Sequence, residues 1–246
     1  MQQVLISLRL YGTGTFQRAI GDLFGVSVFV ACTVIHKVSR AIAKQTGQFP
    51  SFPENLADTK RKFYDVAHFP GVIGAIDCTQ IRIMCPNKEN AMAFVNRKQV
   101  YFSNVQAVCD RDAFITNIVA RWSGSTHDSR IFENSKITDK LRDGALGGIL
   151  VGDSGYACRA YLMTPILKPK NVGEVRYNTA HRRSRCFIHR CFGLLKLRFP
   201  CLHLGLRTAL ANTLVSIVAT AVIHNFAIES KTLMKTLKMK MFHLTL

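Results

Sequence analysis

The stretch Gly71-Val-Ile-Gly-Ala-Ile-Asp-Cys-Thr-Gln-Ile-Arg-Ile83 decides how the chain is read, because an apolar, β-branched run delivers one carboxylate, Asp77, where polar residues begin. A second run, Gly148-Ile-Leu-Val-Gly-Asp153, ends in the same way. Adjacent strand ends in one sheet would bring Asp77 and Asp153 within reach of shared cations, and oxygen ligands suit Mg²⁺ or Mn²⁺. Asp128, in Ser125-Thr-His-Asp-Ser-Arg130, is a third acid beside a strand-like run. Each has a structural alternative. Asp77 and Asp153 also fit turns at strand ends, and Asp128 fits a capping-box arrangement opening a helix over 129–137.

Outward from this stretch, strand character covers 72–84, 100–109, 113–122 and 148–151, with Asp110-Arg111-Asp112 as a tight hairpin turn. Helical patterns dominate from 184 onward. Three strands, a helix, another strand and more helices describe an α/β fold with a mixed sheet flanked by helices. Residues 1–45 read as a helical, helix-turn-helix-like region, with Gly12 and Gly14 as breaks, Gly25 as the turn and Ser27 capping a helix through Lys44. The second helix opens Ser27-Val-Phe-Val30, which offers base edges little to bond with, so packing module and DNA readout both stay open. Lys37, Arg40 and Lys44 would at most position phosphates. Residues 46–70 carry three prolines and read as a linker with one short helix; 71–230 form the main domain and 231–246 a basic amphipathic tail with Lys231, Lys235, Lys238 and Lys240.

The 246 residues hold 33 Lys+Arg against 15 Asp+Glu, a net charge of +18, on a chain that is 48% hydrophobic. That is a basic protein with a real core, and it favours a polyanionic partner over a neutral small molecule. Arg182, Arg183, Arg185, Arg190, Lys196 and Arg198 crowd one segment, where they could clamp a phosphate backbone. The eight cysteines form no Cys-x-x-Cys pair and read as buried small hydrophobes in a reducing compartment. Cys186, His189 and Cys191 do not share one helix face, which argues against zinc. Trp122, Tyr101 and Phe102 read as core, and His127 and His181 as structural hydrogen bonders. The N-terminus lacks a basic n-region and a small-residue cleavage site. The uncharged stretch 208–228 reaches membrane-spanning length, but Asn212, Ser216, His224 and Asn225 within it argue for a core helix, and no membrane partner is expected.

These residues fall into a familiar order. The opening stretch, then Phe94-Val-Asn-Arg-Lys98, Asn104-Val-Gln-Ala-Val-Cys-Asp110, Ala120-Arg-Trp-Ser-Gly-Ser-Thr-His-Asp-Ser-Arg-Ile-Phe132, Gly152-Asp-Ser-Gly-Tyr156 and Cys191-Phe-Gly-Leu-Leu-Lys-Leu-Arg-Phe199 closely resemble the Harbinger transposase-derived nucleases. The resemblance spans about residues 8–230. It implies an RNase H-like fold with a divalent-metal DDE-type endonuclease site, a nuclear setting with the cytoplasm as a second place, and a separate Myb/SANT-like DNA-binding partner. By position, Asp77 corresponds to the first catalytic aspartate, Asp153 to the second and Asp128 to an additional metal ligand. His189 stands where the third catalytic acid belongs.

Two departures matter. The family's Asp-Gly-Thr-His is Asp77-Cys-Thr-Gln80 here, and its Val-Glu-Arg is Ile188-His-Arg190; no Asp or Glu occurs between Glu174 and Glu229. Neutral imidazole binds Mn²⁺, whereas hard Mg²⁺ prefers oxygen, so Mg²⁺-supported cleavage of DNA is expected to be weak or absent, with Mn²⁺ the favoured cofactor if any works. The competing expectation is a DNA-binding or adaptor protein that keeps the scaffold without catalysis. An RNA-binding module is less favoured, since no stacking-aromatic motif is present. Because the chain begins close to the first family-like helix, a shortened version lacking an N-terminal segment is also expected, with uncovered apolar surface as the result.

Overall fold

A computed structural model describes residues 1–86, 91–95 and 100–243, with side chains through 231. Asn96, Arg97 and Lys98 of one motif, and the side chains of Lys235, Lys238 and Lys240 in the basic tail, lie outside the described residues. The sheet has five strands in the order β3-β2-β1-β4-β5. They are β1 (Val72–Arg82), β2 (Phe102–Cys109), β3 (Ile115–Ser123), β4 (Ile149–Val151) and β5 (Leu162–Met163). The β1–β2 and β2–β3 pairs are antiparallel, whereas β4 runs parallel to both β1 and β5. This is the mixed α/β sheet of the expected RNase H-like class. Gly74 lets β1 pass its neighbour closely, since a Cβ there would stand 2.6 Å from Val108 Cγ1.

Helices cover both faces. On one side α4 (Ala57–Ala67), α8 (Val172–Arg198), α9 (Cys201–Leu204) and α10 (Leu210–His243) enclose a core that includes Phe63, Val105, Ile115, Ile188, Leu195 and Ile217. On the other, α6 (Asp128–Glu133) and α7 (Lys136–Arg142) press Phe132, Ile137 and Leu141 onto Ile73, Ile76 and Leu150. A short helix, α5 (Ala91–Phe94), follows β1. The N-terminal helices α1 (Gln2–Thr13), α2 (Gln17–Phe24) and α3 (Val28–Ala43) share a small core of Ile6, Leu10, Ile20, Val34 and Ile35. Ser27 caps α3 by accepting Val30 N–H at 3.3 Å. The bundle is tied to α10 through Tyr11 Oη, Ser39 Oγ and Ser216 Oγ, the two serines 3.3 Å apart. Within 46–70, α4 buries Phe63 and Ala67 in the main core.

Several boundaries differ from expectation. Asp77 lies in the middle of β1, not at its end, because the polar residues after it continue the strand along an open edge. The single helix over 129–137 is two helices: Asn134 Nδ2 and Ser135 Oγ donate to the carbonyls of Arg130 and Phe132 at 2.8 and 2.6 Å and break the run. Helix α8 starts at Val172, well before 184, with Asn171 Oδ1 accepting Glu174 N–H at 2.9 Å. Helix α10 over Leu210–Lys231 is long and apolar enough to cross a membrane, but here it buries Ser216, Ile217, Thr220, Ala221, His224 and Asn225. The cysteines are not uniformly buried: Cys85, Cys158 and Cys186 are exposed, while Cys109, Cys191 and Cys201 are core. Tyr101, Phe102 and Trp122 are only half-buried: Trp122 lies on β3, an outer strand of the sheet, and Tyr101 and Phe102 stand where β2 begins.

Candidate metal centre

Three elements deliver the carboxylates. Asp77 projects from the middle of β1, Asp153 follows β4 after Gly152, and Asp128 opens α6. Gly152 fits between Tyr156 and Ile76, whose atoms would meet a Cβ at 2.9 and 3.1 Å, so the chain turns out of β4 close enough to aim Asp153 inward. One oxygen from each of Asp77, Asp128 and Asp153 lies within 4.8 Å of the others. Ligand oxygens on one Mg²⁺ stand at most about 4.2 Å apart. The cluster therefore closes on a hard divalent cation with small side-chain shifts, and its all-oxygen donor set suits Mg²⁺ or Mn²⁺.

Each acid is held in place. Asp77 Oδ1 accepts Cys78 N–H at 2.8 Å, and Asp153 Oδ1 accepts Gly155 N–H at 2.9 Å, so the turn role foreseen for Asp153 and its place in the cluster coexist. Asp128 makes no capping box, since α6 begins at Asp128 itself after His127 with no side-chain cap. Its Oδ1 instead accepts Asn104 Nδ2 at 3.0 Å. Asn104 and Gln106, two apart on β2, face the same side as Cys78 and were not foreseen as site residues. Their signal was two amides at period 2 in an otherwise apolar strand. Gln106 is fully buried, directly across from Cys78, and neither of its side-chain polar atoms finds a protein partner. Cys78 Sγ and Tyr156 Oη, 3.4 Å apart, close the site from below, and burial pushes both their pKa values up, keeping them neutral.

The charge balance at Asp77 is tight. Its side chain is 10% exposed, and burial, with the neighbouring charge of Asp153, raises its pKa. The Cys78 N–H, His189 and Arg185 oppose that rise. Arg185 Nη1 stands 3.4 Å and His189 Nδ1 3.7 Å from Asp77 Oδ2, so α8 does bring His189 to the acids. It reaches them with a nitrogen, on a side chain that is 55% exposed.

Helix periodicity sorts the basic run. Arg185, His189 and Lys196 share the flank of α8 that faces β1, and Lys196 Nζ donates to Gln80 O at 3.3 Å. Arg183 lines a groove with His68, Phe69 and Pro70 on the other flank, and Arg190, seven residues on, follows it. Arg182 is exposed, and Arg198 is committed to α10, donating to His224 O at 2.9 Å. Lys37 and Arg40 are exposed on α3, where Arg40 Nη2 donates to Asn212 Oδ1 at 3.4 Å; neither contacts the acids among the described residues. His181 is buried and donates to Met163 O at 3.0 Å, a structural role.

Residues 76–225 match the family model described as DDE superfamily endonuclease. Human HARBI1, named as a candidate nuclease, is 34% identical over 235 residues, 92% of this chain and 67% of the relative. Its Xenopus laevis counterpart is 30% identical over the same span. An Arabidopsis thaliana ALP1-like protein is 25% identical over 198 residues, 74% of this chain and 49% of the relative. No solved structure matches the chain significantly. With three acids gathered at the centre of a mixed sheet and this match across most of its length, the chain belongs to the DDE superfamily endonucleases, in the group of Harbinger transposase-derived nucleases.

Proposed function

We propose that the protein is a divalent-metal-dependent endonuclease acting on DNA phosphodiesters, with Asp77, Asp128 and Asp153 holding the metal and His189 in the place of a third acid. The observation that carries this reading is the convergence of the three carboxylates within 4.8 Å beneath a basic helix. When bound, divalent ions would activate water and stabilise the leaving oxygen. The chain's own residues do the rest: Asn104 orients Asp128, the Gly155 N–H orients Asp153, and Arg185 stands beside Asp77 where it can meet a phosphate. The nucleus, with a Myb/SANT-like partner supplying sequence choice, is the setting this activity suits.

A second reading, a non-catalytic DNA-binding or adaptor protein, is favoured by one observation. Arg185, 3.4 Å from Asp77 Oδ2, already offsets that carboxylate, as a cation in a metal-free scaffold would. Titration calorimetry with Mn²⁺ and with Mg²⁺, and plasmid nicking by the native chain and by His189→Glu, separate the two. The enzyme reading expects saturable Mn²⁺ binding that Asp153→Asn abolishes, with Mg²⁺-supported nicking gained on His189→Glu. Absence of metal binding together with intact DNA binding would establish the adaptor.

A further inference from the structure

Strand β1 outlasts its neighbour. Strand β4 pairs with it only as far as Ala75, whereas β1 continues to Arg82, where Leu206 N–H reaches Arg82 O at 3.1 Å. Between those points β1 has an open edge among the described residues, and the acids sit at its start. Cations follow that edge in sequence. Arg185 stands at Asp77, and Lys196 reaches across to Gln80 O. At the far end the aliphatic part of Arg82 lies against Gly205, where a Cβ would come within 3.1–3.2 Å of its carbons. Arg207, two residues on, holds its guanidinium 4.2 Å from the Phe16 ring centre.

We infer that this edge is a phosphate track, along which one strand of DNA runs from the carboxylate cluster past Lys196 to Arg82 and Arg207. Three observations support it. Lys196, Arg82 and Arg207 have no carboxylate within 4.0 Å among the described residues, so their charge is uncommitted. The segments that build the track, 78–86 and 175–228, contain no Asp or Glu at all, although the chain has 15. Arg82 and Arg207 are exposed yet braced by packing, which lowers the entropy lost when they grip an anion. From Asp77 to Arg82 the strand covers about 17 Å at roughly 3.3 Å per residue. At 3.4 Å per nucleotide along one strand, that spans about five nucleotides on one side of the reacting phosphate. Arg82 and Arg207 also line a cavity of about 420 Å³ with Tyr101 and Met84, which closes the track with an aromatic wall.

The track rests on the DNA half of the proposed function and is independent of whether cleavage occurs. Its test is the salt dependence of affinity for a fluorescent 30-base-pair DNA duplex, measured in EDTA so that metal and cutting play no part. The native chain is compared with Arg82→Glu/Arg207→Glu and with the milder Arg82→Gln/Arg207→Gln. A control, Lys136→Glu/Lys140→Glu, places the same charge change on exposed residues of α7 across the sheet. Circular dichroism melts identify any variant that fails to fold. Loss of two phosphate contacts lowers the slope of log K against log salt by about 1.8, which the glutamine pair reproduces and the control does not. An unchanged slope, or an equal fall in the control, overturns the track. A native chain with no salt-dependent binding removes the DNA reading itself, and failure in the nicking assay alone removes only catalysis.

Discussion

Asp110 accepts the N–H groups of Asp112 and Phe114 at 2.8 and 2.9 Å, yet burial lifts its pKa to about 6. The folded value lies above the unfolded one of about 3.9, so the folded state binds this proton more tightly. Its stabilising contribution is complete below about pH 4 and is lost as pH rises through 6. Asp110→Asn keeps the acceptor oxygen without the buried charge. The variant should be more stable than native at pH 7.5 by on the order of 1–2 kcal/mol, a gap that closes by pH 4 in urea titrations. A gap independent of pH would contradict the assignment. At the acids, Asn104→Ala takes away the amide that orients Asp128 and should weaken Mn²⁺ binding by about 10–100-fold in calorimetry. Unaltered affinity would mean that Asp128 needs no such support.

Among the elements, α8 carries most of the chemistry, and its two flanks part company. Charge reversal at Arg185 and Lys196 should reduce the salt slope of DNA binding more than reversal at Arg183 and Arg190, since only the first pair lies along β1. Equal effects would show that the helix acts as a diffuse basic patch. This division could be read from heptad geometry once the helix was known to begin at Val172, but the Arg- and His-rich turns after Asn171 carry too little apolar periodicity to announce one. The convergence of Asp77 and Asp153 was legible, because each follows a buried run that only a central strand explains. The extent of β1 was legible too, since strand character over 72–84 nearly matches Val72–Arg82, but the polar Thr79-Gln80 made Asp77 read as a strand end although an open edge tolerates polar residues. Strand β5, only Leu162–Met163, left no pattern long enough to recognise. Gln106 was hidden for the opposite reason: an orphaned amide in a core strand means something only when its neighbours are known.

At the scale of the molecule, Asn225 joins parts far apart in the chain. Its amide pairs with both Ile115 N–H and Ile115 O, at 2.8 and 2.7 Å, and donates to Phe49 O at 3.1 Å. His224 beside it reaches Ala113 O at 2.9 Å. Asn225→Ala leaves two buried backbone groups, Ile115 N–H and Ile115 O, without the amide that pairs with them, at roughly 1–3 kcal/mol each, whereas Phe49 O keeps the Ser51 N–H at 3.0 Å. A loss of at least about 2 kcal/mol is expected, read as one cooperative transition by both circular dichroism and Trp122 fluorescence. Two separated transitions would show that the N-terminal helices melt independently of the sheet. The same clamp bears on synthesis. Helix α10 leaves the ribosome after every strand it covers, so the part of the sheet it packs on, Ile115 included, stays wet until α10 arrives. A nascent chain halted after α9 is thus a natural client for chaperones, and one that includes Asn225 is not.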